Sequence, residues 1–185
     1  MRYAIFSDVH ANWQAWQAVR ADMLRQRIGT LVCLGDVVGY GPRPLEVLAS
    51  VREATPNLVL GNHDAAACGR LDASIFNPRA QAVIEWTRER LDGESLEFLN
   101  RVPLRLDGDG IEFVHAEVRE PGEFGYIDGP GPAGDSLRAM TQPLAFIGHT
   151  HLPVAYTMPE KGGLVEQLPP GDFRLKRGRR TLVNV

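Results

Sequence analysis

The apolar runs of this chain are short, and one after another they end on side chains that bind cations. Tyr3 to Ser7 leads into Asp8-Val9-His10, Thr30 to Leu34 into Gly35-Asp36, and Leu58 to Leu60 into Gly61-Asn62-His63-Asp64. Later, Ile111 to Val114 leads into His115 and Leu144 to Ile147 into Gly148-His149-Thr150-His151, by which point all five histidines are used up. Runs this short, rich in β-branched and aromatic residues, predict strands. An α/β fold gathers its site outside the carboxyl ends of its strands, so one feature constrains architecture and chemistry together.

Three more runs predict strands: Val154 to Met158, Leu164 to Leu168 and Thr181 to Val185. Between the early strands the period changes to helical. Trp13, Trp16, Ala18 or Val19, and Met23 share one face, and Pro44 opens a segment carrying Leu45, Leu48 and Val51. Alternation of strand and helix predicts a parallel βαβαβ unit in the opening half. Asn77-Pro78 marks the cap and first turn of a third helix running to Leu91, and a fourth runs from Gly93 through Leu99. After Arg101 the strands come close together, with Asp107-Gly108-Asp109-Gly110 as a hairpin turn. The expected fold class is therefore α/β with α+β elements in the second half: a two-sheet β-sandwich flanked by helices in four layers. Glu120 to Asp135, dense in proline and glycine, predicts a long loop over the site. The basic cluster Lys176-Arg177-Gly178-Arg179-Arg180 predicts a solvated turn.

At 185 residues and 44% hydrophobic content the chain suits one substantial core, so a single domain over 1–185 is expected. A formal charge of -3 supplies no field to draw nucleic acid or an anionic membrane, and neither partner is expected. Asp8 interrupts the amino-terminal apolar run too early for a signal peptide, and no stretch has the length of a membrane span, so the expected location is cytoplasmic. The two cysteines, Cys33 and Cys68, have neither disulfide nor zinc spacing. Cys33, within Leu31-Val32-Cys33-Leu34, reads as a buried thiol. Homo-oligomer formation is left open.

Singly, each motif has an ordinary reading. Asp-x-His also describes a capping Asp beside a packed His, His115 alone reads as a core histidine, and Asn12 reads as a helix cap as readily as a phosphate contact. In extended backbone His149 and His151 would face one side and act as a pincer. Together the strand ends favour metal ligation, and the mix of carboxylate and imidazole suits Mn²⁺, Fe or Zn²⁺, with Ni or Co also compatible, over Ca²⁺ or Mg²⁺.

In this order, Asp8-x-His10, Gly35-Asp36, Gly61-Asn62-His63-Asp64, His115 and Gly148-His149-Thr150-His151 resemble the calcineurin-like metallophosphoesterase superfamily, in particular its small single-domain bacterial phosphodiesterase branch. Val37-Val38-Gly39-Tyr40-Gly41-Pro42 after Asp36 adds to the likeness, which spans essentially the whole chain. The resemblance implies two divalent ions, manganese first among them: one held by Asp8, His10, Asp36 and His151, the other by Asp36, Asn62, His115 and His149, with Asp36 bridging. It implies hydrolysis of a small phosphate ester by a hydroxide that the ion pair activates. His63 would be the catalytic group that stabilises developing charge and protonates the leaving oxygen, and Asp64 would orient it. Asn12, Asn62 and His63 would contact the phosphate.

Phosphodiester or cyclic-nucleotide substrates are favoured over monoesters, diadenosine polyphosphates and phosphoproteins, with Tyr40, Phe76, Phe124 and Tyr126 as candidate stacking surfaces for a base. A non-catalytic protein-binding scaffold of the same fold is the alternative from another class. Retention of every ionisable ligand argues against it, because unpaired buried Asp and His destabilise a core. Two departures from the family pattern stand out. Ala116-Glu117 follows His115 where relatives carry small residues, and the end at Leu182-Val183-Asn184-Val185 is expected to be shortened relative to the branch.

Overall fold

The computed structural model describes residues 2–185 and falls into two compact units, Met1–Pro103 and Leu104–Val185. Met1, where the expected single domain begins, lies outside the described residues.

The amino-terminal unit starts with β1 (Tyr3–Phe6) and β2 (Thr30–Cys33), paired in parallel with Tyr3 opposite Thr30 and Phe6 opposite Cys33. A parallel pair needs a crossover, supplied by α1 (Trp13–Arg25), whose face periodicity the sequence announces. Trp16 secures it: the ring packs 5.0 Å from Phe6, and the indole N–H donates to Ser50 Oγ at 2.9 Å in α2 (Pro44–Ala54). The third expected strand, Leu58 to Leu60, is reduced to a single parallel bridge between Cys33 and Leu58. Only three apolar residues stand between Pro56 and Gly61, and Leu60 N–H donates instead to Pro103 O. The run is buried nonetheless.

Beyond it the chain forms α3 (Asn62–Cys68), where the sequence predicts only a strand end, then α4 (Pro78–Arg88) and α5 (Gly93–Arg101). Asn77 and Asp92 cap the last two by accepting from Ala80 N and Ser95 N. Three alanines give α3 its propensity, and Arg88 ties down its carboxyl end by donating to Ala66 O and Ala67 O.

The carboxy-terminal unit holds a six-stranded sheet. β3 (Arg105–Gly108) and β4 (Ile111–Val114) form the predicted hairpin; Asp109 and Gly110, both at positive φ, supply the primed turn that suits right-handed strand twist. β4 pairs in parallel with β5 (Leu144–Ile147), and β5 in parallel with β8 (Arg179–Asn184). On the far side β6 (Val154–Pro159) runs antiparallel to β8 and to β7 (Glu166–Leu168), giving the order β3-β4-β5-β8-β6-β7.

The predicted loop from Glu120 to Asp135 is a correction. It holds a short 3-10 turn at Pro121–Glu123, and α6 (Pro130–Ala139) begins inside it. Pro130 and Pro132 occupy the first turn, where missing N–H groups cost nothing, and Ala133 and Leu137 bury against the sheet beside Tyr156, Met158 and Leu182. The basic cluster is partly committed as well. Arg180 donates to Leu137 O and Arg138 O at the carboxyl end of α6, and Arg179 pairs with Glu166 at 2.9 Å.

Helices join and follow a parallel strand pair in the first unit and one helix, α6, packs on a mixed sheet in the second, so the fold is α/β, as expected. Among the described residues no helix is long and apolar enough to cross a membrane. Both cysteines are free; Cys33 is fully enclosed, and burial pushes its thiol far above the usual range.

Leu137→Ala is expected to lower the unfolding free energy by about 2–5 kcal/mol in urea titrations, whereas Leu24→Ala, at an exposed position, shifts it by less than about 0.5 kcal/mol. A thiol reagent at pH 8 is expected to leave Cys33 unmodified until the chain is unfolded.

Candidate metal and catalytic site

In the amino-terminal unit the loops after β1 and β2 continue the ladder beyond the strands. Asp8 N donates to Gly35 O, His10 N to Asp36 O and Ala11 N to Val37 O, at 2.8 to 3.0 Å. This zip brings three expected ligands together: His10 Nε2 lies 3.8 Å from both Asp8 Oδ1 and Asp36 Oδ2. The other ring nitrogen, Nδ1, sits 3.1 Å from Val38 O. A carbonyl can only accept, so Nδ1 carries a proton in that bond, and in the neutral ring the Nε2 lone pair faces the two carboxylates. Electron pairs from three groups thus converge where a cation would balance them.

The pocket floor leaves no room for side chains. A Cβ on Gly61 would fall 2.0 Å from Asp36 Oδ1 and 2.3 Å from Asp36 N. Asp36 Oδ1 accepts from His63 N at 2.9 Å, in the first turn of α3. Asn62, buried, starts that turn.

Asp64, fully buried, accepts from Val38 N at 3.0 Å and from Val37 N and Gly61 N at 3.3 Å. These bonds fasten three backbone N–H groups to one carboxylate. Through the backbone of Val38 it also reaches His10, since Val38 N donates to Asp64 and Val38 O accepts from His10. Asn12 caps α1, its Oδ1 accepting from Ala15 N at 3.1 Å. The His63 ring lies among His10, Tyr40 and Phe76, with centroids 5.0, 4.5 and 5.3 Å away.

In the carboxy-terminal unit His115 ends β4, and its carbonyl accepts from Gly148 N at 2.8 Å. That bond brings the loop after β5 alongside: the His115 and His149 rings sit 5.1 Å apart, edge to face, with ligand nitrogens within 4.8 Å. Phe124 packs 6.1 Å from His115 and Tyr126 4.2 Å from His149. The extended pincer is not what forms. β5 stops at Ile147, and His149 (φ 69°) and His151 (φ 57°) are both left-handed, with His149 buried and His151 exposed. Asn184, at the end of β8, steadies this loop by donating to Thr150 Oγ1 at 2.6 Å. Sequence reasoning missed that residue, although a polar side chain closing the apolar run Leu182-Val183 was its visible trace.

Five expected ligands, Asp8, His10, Asp36, His149 and His151, hold positive φ between 48° and 69°. Each such backbone costs about 1–3 kcal/mol and persists only where the surroundings enforce it, which happens most at functional sites. The donors meet a borderline divalent cation's requirements on chemistry: carboxylate oxygens and imidazole nitrogens, with His10 oriented by a carbonyl behind it.

Comparison with known proteins agrees with this chemistry. Residues 1–183 match the family model described as the calcineurin-like phosphoesterase superfamily domain. The chain is 32% identical over 190 residues to an uncharacterized protein of Methanocaldococcus jannaschii, covering 98% of this chain and 73% of that protein. A symmetrical bis(5'-nucleosyl)-tetraphosphatase of a Janthinobacterium strain is 38% identical over 95 residues, which is 48% of this chain and 33% of that enzyme. The crystal structure of a metallophosphoesterase from Sphaerobacter thermophilus superposes with a TM-score of 0.81 at 37% identity, covering all of this chain and 75% of that one.

Asp64→Asn preserves shape but turns one acceptor into a donor aimed at backbone N–H groups. It is expected to lower the unfolding free energy by about 1–3 kcal/mol in denaturant titrations.

Proposed function

Because the chain belongs to the calcineurin-like phosphoesterase superfamily and is a hydrolase of phosphate esters, we propose that it cleaves phosphodiester or cyclic-nucleotide substrates with two divalent ions, manganese by preference. The carrying observation is the convergence of His10 Nε2 with Asp8 and Asp36 at 3.8 Å, its lone pair set toward them by Val38 O. Asp8, His10, Asp36 and His151 would hold one ion, and Asp36, Asn62, His115 and His149 the other, with Asp36 serving in both sets. The whole chain then acts as one catalytic domain. When bound, such ions lower the pKa of water and draw charge from the phosphoryl oxygens.

The remaining work falls to side chains. Water adds to phosphorus and releases a proton to solvent, the ester P–O bond breaks in line, and His63, as imidazolium, gives a proton to the departing alkoxide while balancing charge on an equatorial oxygen, then regains one from solvent. Three surrounding rings restrict the His63 imidazole to a narrow range of orientations. Asp64 acts on both histidines through the backbone it fastens, because Gly61 N leads into α3 and Val38 O holds His10. With Oδ1 committed to capping, Asn12 presents its amide N–H groups as donors for a phosphate oxygen. Two free thiols suit a reducing compartment, so the cytoplasm is the proposed location.

A second reading, hydrolysis of dinucleoside tetraphosphates, draws on the 38% identity over 95 residues with the Janthinobacterium enzyme. The same site serves both, and a screen of diesters, cyclic nucleotides and dinucleoside polyphosphates separates them by kcat/KM.

The 185-residue chain is expected to hydrolyse a chromogenic phosphodiester with Mn²⁺ and to lose that activity in chelator; inactivity with every divalent ion tried defeats the proposal. His63→Ala is expected to lower kcat by about 10²–10⁴-fold while the ion content measured by elemental analysis stays that of the parent.

A further inference from the structure

Beside the His63 imidazole the amino-terminal unit contains a cavity of about 420 Å³, lined by Tyr40, Pro42, Arg79, Ala82, Val83 and Trp86. Its size lies in the range of small-molecule sites, and its composition is selective: two aromatic rings, three aliphatic walls, one cation and no carboxylate. From this lining and its position we infer that the cavity is a nucleobase subsite, so that the substrates are phosphoesters carrying a nucleoside. The inference rests on the phosphoesterase reading and deepens it.

Position is the first argument. Tyr40 serves both places, lining the cavity while its ring lies 4.5 Å from His63 and 4.8 Å from His10. A group bonded to the phosphate handled at His63 therefore enters the cavity one ring's width away. Rigidity is the second. The loop bearing Tyr40 is pinned at both ends: Asp64 takes Val37 N and Val38 N, Gly41 N donates to His10 O, and Arg43 N to Ala11 O. A Cβ on Gly41 would fall 2.3 Å from His10 O, so the wall sits directly against the ligand loop. Trp86, also in the lining, is held by Arg90, whose guanidinium lies 3.7 Å over the indole and donates to Trp86 O. Pre-positioned rings lose little entropy when they stack on a ligand.

Chemistry is the third argument. Flat aromatic faces with aliphatic sides accept a planar heterocycle, and stacking on such rings tolerates every base. Arg79 is exposed at the start of α4 and supplies donors for base carbonyls or for a second phosphate. An aliphatic alcohol would leave both rings unused, and a cationic group would meet Arg79 without a carboxylate to offset it. Of the stacking surfaces expected from the sequence, Tyr40, Phe76, Phe124 and Tyr126, Tyr40 lines the cavity together with Trp86, and Phe76 packs 5.3 Å from His63.

The test is calorimetric titration of the full chain, free of divalent ions, with adenosine monophosphate and with ribose 5-phosphate. The base is expected to tighten binding by about 10-fold or more, the size of one aromatic stack. Trp86→Ala is expected to erase most of that preference, and Ala82→Trp, which fills the cavity and removes nothing, to do the same, with circular dichroism confirming that each variant is folded. Equal binding of the two ligands by the parent protein, or a preference that survives in both variants, overturns the inference. Since no ion takes part, absence of hydrolysis alongside intact base preference would sink the reaction and leave the subsite standing.

Discussion

A single buried carboxylate organises the candidate ligand cluster of the amino-terminal unit. Asp64 has no exposed surface and takes three backbone N–H groups from two separate loops. Loops that follow strands have no ladder to satisfy their amides, and a charged acceptor in a low-dielectric interior forms stronger bonds with them than a neutral one. Because Val38 donates its N–H to Asp64 and accepts from His10 at its carbonyl, the same carboxylate helps set the ring that faces Asp8 and Asp36. The wall of the proposed base subsite continues from those same residues. One fixed point therefore serves ligand geometry, the approach of α3, and the aromatic surface beyond.

The carboxy-terminal unit holds its histidines on the same plan with different parts. β5 and β8 are parallel neighbours, so their ends lie side by side, and Asn184 on one steadies the histidine loop that leaves the other. Elsewhere in the sheet Glu112 is fully enclosed and is answered by Thr141 N, Gln142 N and the Arg105 guanidinium at 3.0 Å. Left-handed backbones at the proposed ligand positions of both units are the cost of turning side chains back over strand ends. The ladder-like bonds between neighbouring loops are what make that cost sustainable.

How much of this was legible varies by residue. The hairpin at Asp109-Gly110, the caps Asn77 and Asp92, and α1 with its Trp16 face were all readable, because each depends on chemistry within a few positions. Helix α6 was not. Its prolines and glycines imitate a loop, and only burial of Ala133 and Leu137 on the sheet turns the segment helical. The strand at Leu58 was over-read for the converse reason: apolar character was right, and burial followed, but Leu60 N–H found a partner outside the sheet.

Sequence alone determined the fold class and family, and the candidate ligands, because polar groups at strand ends follow from strand periodicity and motif order, both of which are local. It could not say which contacts those groups make. That Asp64 fastens backbone, that His149 and His151 sit in left-handed turns, and that Tyr40 and Trp86 line one cavity depend on residues far apart in the chain. Such pairings come from close packing of distant segments, and tertiary structure alone decides them.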